Sequence, residues 1–458
     1  MAEARALAAT GILGSGFAES SLAKGLEWDP HFIGADAGST DLGPQHLGAG
    51  TTFFSKEAVK RDLRLMIKGG QYKKIPVLVG TAGGAGGDVH LEGMRRIIAE
   101  IAEEEGLHFR AAFIHSEQDK AFLKAQLRSG KIKPLKPAPP VDEQVIEKSE
   151  RIVAMMGPEP FINALDAGAE VIITGRSSDT SIFAAVPLKM GLSPGPIWHA
   201  AKILECGAAV VEQRPHPDCM FAFIRDDHFV VRAPNPTLRC TPVSVAAHTL
   251  YENPDPYILI EPPGTLDTSE ARYEPQDEVA VRVSGSKFIQ ADQYTVKLEG
   301  AERVGYQSII IGAFRDPVIL EQLDDYLDRI KQTIVNRVEE IYSGEVVHGE
   351  DYTVTFKVYG RDGVMGALEP VKEVLAHEIC VIIEITAQDE RLTNAIAVSA
   401  SQIATHVSIP QWTGHITSIA YPYSPQVLQR GEVYRFNLNH ILELDDPCEI
   451  FPMDIVDF

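Results

Sequence analysis

The chain has 458 residues, 45% of them hydrophobic and 23% charged, enough to bury a large core and to make two domains. Its formal net charge of -22 argues against a nucleic-acid or anionic-membrane surface, because those need clustered Lys and Arg. Five cysteines without CxxC or Cys/His spacing indicate a reducing cytoplasm and no structural zinc, and no segment reaches the roughly 18 apolar residues of a membrane span.

The opening MAEARALAATGILGSGF carries an early acid and no basic stretch, so a signal peptide is not expected. Residues 6 to 13 read as a first buried strand, followed by a glycine turn and a short helix. A second strand, from His31 to Ala35, runs into a loop rich in side-chain oxygens: Asp36, Ser39, Thr40, Asp41 and His46. That loop is longer and more polar than a turn requires. Ser55 is set to start a helix that the pair Gly69-Gly70 should stop.

The run VLVGTAGGAGGDVH, from Val77 to His90, reads as a strand feeding a glycine-rich turn. Gly83, Gly84, Gly86 and Gly87 allow positive φ and close approach to a ligand such as a phosphate or carboxylate. Asp88 closes the turn, either as the cap of the following helix or as a ligand contact. A strand in HFRAAFIHSEQD then delivers His115, Glu117 and Asp119.

The proline-bearing stretch 131 to 144 reads as an extended connector, and a helix is expected over VIEKSERIVAMMG. The helix EPFINALDAG, the strand EVIITG, the loop Arg176-Ser177-Ser178-Asp179 and the helix TSIFAAVPLKMG follow. Beta alternating with alpha predicts an α/β fold: a doubly wound, mostly parallel sheet over residues 1–215. From about 216 the pattern turns to antiparallel strands and long helices, predicting a second, α+β domain over 216–458. There the segment 253 to 263 reads as loop, Asp316-Pro317 as a helix start, and WTGHITSIAYPYSP as part of a tail that returns to pack on the rest.

In an open parallel sheet, ligands sit beyond the carboxyl ends of the strands. The residues at those ends are therefore the site candidates: Asp36, Asp41, His115 and Asp179 as acids and bases, with Ser39, Thr40, Gly83, Gly84, Gly86, Gly87, Asp88, Arg176 and Ser177 binding substrate. A guanidinium directly after a strand is placed to clamp a carboxylate or phosphate, or else to make a structural ion pair. Such a set suits proton abstraction beside a carbonyl, followed by elimination or addition, which is lyase or hydratase chemistry. It also suits a divalent metal on the oxygens of Asp36, Asp41 or Asp88, hence a metal-dependent hydrolase. Walker, GxGxxG, GxSxG and HExxH motifs are all missing, which leaves a non-catalytic binding or assembly subunit as a third reading.

The blocks NALDAGAEVIITGRSSDTSIFAAVPL, CTPVSVAAHTLYENPDPYILIEP and DEVAVRVSGSKF, in that order and with GILGSGF and VGTAGGAGGD before them, resemble the acyclic terpene utilisation (AtuA-type) family over roughly residues 8 to 315. The resemblance implies a catabolic protein working near acyl-CoA or branched-chain acid metabolism, and it carries over no catalytic residues. A small carboxylate or an acyl-CoA is the expected partner, with CoA as part of the substrate, and a homo-oligomer, most simply a dimer, is the expected assembly.

Overall fold

The computed structural model describes residues 2–371, 373, 376–411 and 419–458. It divides into two compact units, residues 1–302 with 436–458, and Arg303–Arg435. The division therefore falls at 302 rather than near 215. The physical reason is strand pairing: Met220–Ile224 bonds antiparallel to Ala4–Ala8 along its whole length, so it belongs to the first sheet.

The first unit is built on a ten-stranded sheet. Its centre is parallel, with Ala4–Ala8, Phe32–Asp36, Val77–Gly80, Val171–Thr174 and Arg110–Ile114 side by side in that order. Antiparallel strands extend both edges: Met220–Ile224, His228–Arg232, Val281–Ser284 and Arg272–Pro275 on one, and Met453–Asp457 on the other. The sheet is thus mixed, with the expected parallel arrangement confined to its five central strands.

Both faces of that centre are buried, which is why its strands read as continuous apolar runs. Leu7, Ile33, Val79 and Ile173 point into a core shared with Leu63 and Ile67 of the helix Lys56–Lys73 and Ile98 of the helix Asp88–Glu105. Ala8, Phe32, Leu78 and Ile172 point the other way, toward Phe183 of the helix Asp179–Lys189 and Trp198 of the helix Pro194–Leu204.

Several local expectations change. The helix Lys56–Lys73 passes through Gly69 and Gly70 instead of stopping there, and its left-handed end is Lys74. Gly70 is needed for packing, since a Cβ there would meet the Val77 side chain at 2.7 Å. In place of one helix over residues 145–157, Glu143–Lys148 is helical and Ser149–Met155 is a strand paired antiparallel with 297–302. The supposed connector holds a short strand, Ile132–Pro134, and the supposed loop 253–263 holds Ile258–Glu261, paired with Gly264–Asp267.

The second unit contains strands Tyr352–Tyr359 and Ile379–Ala387, the latter paired with residues 306–314 of the long strand Tyr294–Phe314. Helices Leu323–Ile341 and Glu390–His406 share its core through Tyr326, Ile330, Ile334, Ile396 and Ala400. Asp316 caps the helix Pro317–Glu321 as its sequence indicates. Of the tail expected to return, residues 412–418 lie outside the described residues.

Candidate acidic cleft at the strand ends

The central parallel strands end on chemistry. Asp36 is the last residue of its strand, Thr81 follows Val77–Gly80, and Arg176 and Ser177 follow Val171–Thr174. Thr81 takes a left-handed φ of 55°, an uncommon and strained conformation for a β-branched residue. That twist turns its hydroxyl toward Arg176, which it meets at 3.1 Å.

Arg176 is 6% exposed and its guanidinium is engaged within the protein. Nε donates to Glu299 at 3.0 Å, Nη1 to the Ser177 carbonyl at 2.7 Å and to Asp179 at 3.3 Å, and Nη2 to the Thr40 hydroxyl at 3.1 Å. Burial opposes charge on this arginine, but Glu299, Asp179 and Asp36 together favour the cation. Glu299 is also buried, yet Arg176 and Lys297 hold its carboxyl down at about 2. Thr40 donates to Glu299 at 2.8 Å. Arg176 therefore makes the structural ion pair, a fixed cation under the strand ends.

Beside it opens a cleft of about 770 Å³. Asp36, Ser39, Asp41 and Asp179 line it, which brings together four of the strand-end residues singled out in the sequence. Ser39 accepts from the amide of Asp41 at 3.1 Å and so shapes the loop. Burial and the Asp179 charge push the Asp36 carboxyl well up, against the pull of Arg176. Burial also raises Asp179. Asp36 is buried, whereas the Asp179 side chain is 34% exposed, so solvent weakens the shift at Asp179.

The other lining residues come from segments that sequence reasoning left unassigned: Glu205, Cys206, Arg214, His248, Tyr251 and Glu252. Lys202 donates to Glu205 at 2.5 Å from the end of a buried helix, and both are buried. Burial lifts Glu205 to about 8 despite that ammonium, helped by Asp179 and Glu261. The surrounding acids keep Lys202 charged as well. Ser178 and Thr180 each donate to Glu261 at 2.5 Å, and burial still raises it to about 7.

His248 is 8% exposed and lies against Tyr251, ring centroids 5.8 Å apart. His248 lines the cleft, and among the described residues its buried Nε2 has no hydrogen-bond partner. Burial, with the charges of Lys202 and Arg214, drives its pKa down to about 4, so the ring is neutral near pH 7. An unpaired buried nitrogen of this kind is costly unless something polar meets it.

The remaining candidates lie elsewhere. His115 shares a hydrogen bond of 2.9 Å with Asp88 and one of 3.5 Å with Asp454. Asp88 is not the helix cap, which is Gly87; Asp88 is the first helical residue, and its amide donates to Glu117 at 2.9 Å. Asp179 is the first residue of the helix Asp179–Lys189, with Ser178 at the cap position. The glycine turn meets protein backbone: Gly86, at φ 75°, packs so closely on Arg176 that a Cβ would come within 2.3 Å of its nitrogen. Gly84 accepts from the amide of Ser39 at 3.3 Å, and Gly83 accepts from Phe53 at 3.4 Å. Ser177 is fully buried. Among the described residues no group of three or more His, Cys, Asp or Glu is arranged to hold a metal ion, so Asp36, Asp41, Asp88 and His115 do not form the metal set considered from sequence. No helix among the described residues is long and apolar enough to cross a membrane.

The family model described as "Acyclic terpene utilisation family protein AtuA" matches residues 50–211 and 225–427. The match runs further toward the C-terminus than the resemblance seen from residues 8 to 315, and it begins later. Asp179, Glu205 and His248 fall inside it; Asp36 and Asp41 precede it, and Arg214 lies in the break. No curated protein and no solved structure matches the chain.

Proposed function

The chain belongs to the acyclic terpene utilisation family, and from that membership we propose that it is a catabolic enzyme of lyase or hydratase type working in the breakdown of acyclic terpenes. Its substrate on this reading is a small unsaturated or hydroxylated carboxylic acid or the corresponding acyl-CoA. The observation that carries the reading is the neutral His248 with an unpartnered Nε2, lining the same cleft as the buried carboxyls of Asp36 and Glu205, which burial pushes up.

Adding water across a carbon–carbon double bond conjugated to a carbonyl needs one base and one acid. His248 Nε2 takes a proton from water as the water oxygen bonds to the β-carbon. Asp36 gives its proton to the α-carbon, and the π electrons of the double bond form that new C–H bond. The imidazolium then returns its proton to the Asp36 carboxylate, and elimination is the reverse sequence. Resting His248 is a weak base, but a substrate carboxylate beside it favours the imidazolium and raises its basicity. Arg214, on the exposed side of the cleft, is the cation available to that carboxylate or to a CoA phosphate. Arg176 is a positioning residue, tying Thr40, Thr81, Asp179 and Glu299 together.

A screen of 2-enoic and 3-hydroxy acids and their CoA esters tests the reading, with loss or gain of the conjugated absorbance as the signal. Asp36→Asn and His248→Gln are each expected to lower kcat by about 10²–10⁴ with little change in KM. Turnover that survives both substitutions removes these residues from the chemistry. Tight binding of an ester with no turnover favours the non-catalytic binding subunit instead.

A further inference from the structure

We propose that the protein carries a second ligand site, separate from the acidic cleft, which takes a medium-length hydrocarbon chain ending in an anionic head group. This goes beyond the lyase or hydratase reading and does not depend on it.

The site is a cavity of about 370 Å³ in the first unit. Leu13, Phe54, Val59, Met94 and Ile97 wall it, and its mouth carries Lys56 and Arg96. The volume falls within the range of about 300–1,000 Å³ typical of ligand pockets, and the walls are apolar as such pockets are.

Gly93 adds a second, independent observation. It lies inside the helix Asp88–Glu105, where glycine is a poor helix former, and it lines the cavity. Its backbone is not left-handed, and a Cβ built there would have nothing within 4 Å. The fold therefore does not demand a glycine at this position; its missing side chain keeps one wall open. Gly83, which also lines the cavity, differs: its φ is 64°, and a Cβ there would stand 2.9 Å from the His90 side chain, so both backbone and packing require glycine.

The head-group end carries two cations, Lys56 and Arg96, in a chain of formal charge -22. Arg96 is 69% exposed along its side chain and loosely held, with Nε 3.4 Å from the Glu92 carbonyl and 3.9 Å from its carboxylate. Glu100, the acid among the lining residues, is paired with Lys56 at 2.5 Å and with Lys60 at 2.7 Å, and Lys60 also bonds Glu104 at 2.6 Å. The exposed Phe53 packs edge-on to Phe54 at 4.7 Å and presents an apolar lip beside these cations. Chain inside, charge at the rim, is the arrangement that suits an amphiphilic carboxylate.

The cavity is distinct from the cleft although the two adjoin. Leu13 and Ala37 line the cavity, while their neighbours Ile12 and Asp36 line the cleft. The two loops are tied by the Leu13 amide donating to the Asp36 carbonyl at 2.7 Å, so backbone separates the sites.

Calorimetric titration of the full chain with decanoate, hexanoate, decanol and decyltrimethylammonium tests the proposal. Decanoate is expected to bind one site at least tenfold more tightly than hexanoate, as burial of each added methylene gives about fourfold, and at least tenfold more tightly than the cationic amphiphile. Gly93→Leu should weaken decanoate at least tenfold, and Arg96→Glu should weaken decanoate but not decanol. Asp36→Asn, which removes the proposed acid of the cleft, should leave decanoate binding unchanged. Absence of saturable decanoate binding overturns the proposal, as does full affinity in Gly93→Leu. Loss of binding in Asp36→Asn with retention in Gly93→Leu would place the chain in the acidic cleft and also overturn it. If Gly93→Leu does not fold, Gly93→Ala and Arg96→Glu carry the test, and undiminished affinity in both overturns it.

Discussion

Glu205 shows how much a single buried side chain can contribute to the behaviour of the cleft. Its carboxyl rises from an ordinary 4.5 to about 8 because it is buried among other acids, even with Lys202 in hydrogen-bond contact. The folded protein thus holds a proton that the unfolded chain releases. Stability from this group is greatest below about pH 4.5, falls as pH rises through the window to about 8, and is level above it. Glu261, raised to about 7 by burial, acts in the same direction over a narrower window. Glu205→Gln should therefore flatten the decline in unfolding free energy between pH 5 and 8, by an amount on the order of a few kcal/mol. Urea unfolding at a series of pH values measures this, and parallel profiles for the variant and the parent would refute it.

At the scale of elements, the glycine-rich turn after Val77–Gly80 is a joint between backbone segments. Gly86→Ala forces a Cβ to within 2.3 Å of the Arg176 nitrogen on top of an unfavourable φ of 75°, and should cost roughly 3 kcal/mol or more. Gly16 has a comparable φ of 86° but nothing within 4 Å, so Gly16→Ala should cost only the backbone term, about 1–2 kcal/mol. Equal losses in thermal or urea unfolding would show that packing on Arg176 does not matter. The strands of the parallel centre are legible in the sequence because burial on both faces leaves uninterrupted apolar runs, and Asp36 and Asp179 are legible because they follow such runs. Ser149–Met155 reads as helix from sequence because its partner, residues 297–302, is distant along the chain. His248 and Glu205 sit on or just after helices, where strand-end reasoning does not look. The visible signal is Lys202 and Glu205, three residues apart at the end of a helix in which Ile197, Trp198, Ala200, Ala201, Ile203 and Leu204 are all buried.

Across the whole molecule, charge sets how a substrate arrives. The chain carries a formal -22, and the cleft is lined by Asp36, Asp41, Asp179, Glu205, Glu212 and Glu252 against Arg214. Proton retention by the buried acids removes part of that negative field, but exposed Asp41 and Glu212 remain. On the proposed function, an anionic acyl-CoA would approach against a repulsive potential until it met Arg214. Salt screens such a field over a Debye length of about 10 Å at 0.1 M, so kcat/KM for an anionic substrate should rise several-fold between about 10 and 150 mM salt. A neutral ester of the same acid should show no such rise. Arg214→Glu should steepen the dependence for the anion and leave the neutral ester unaffected. Rates for the anion that fall with salt would mean that attraction, not repulsion, governs encounter, and that an approach to the cleft more basic than Arg214 alone steers the substrate.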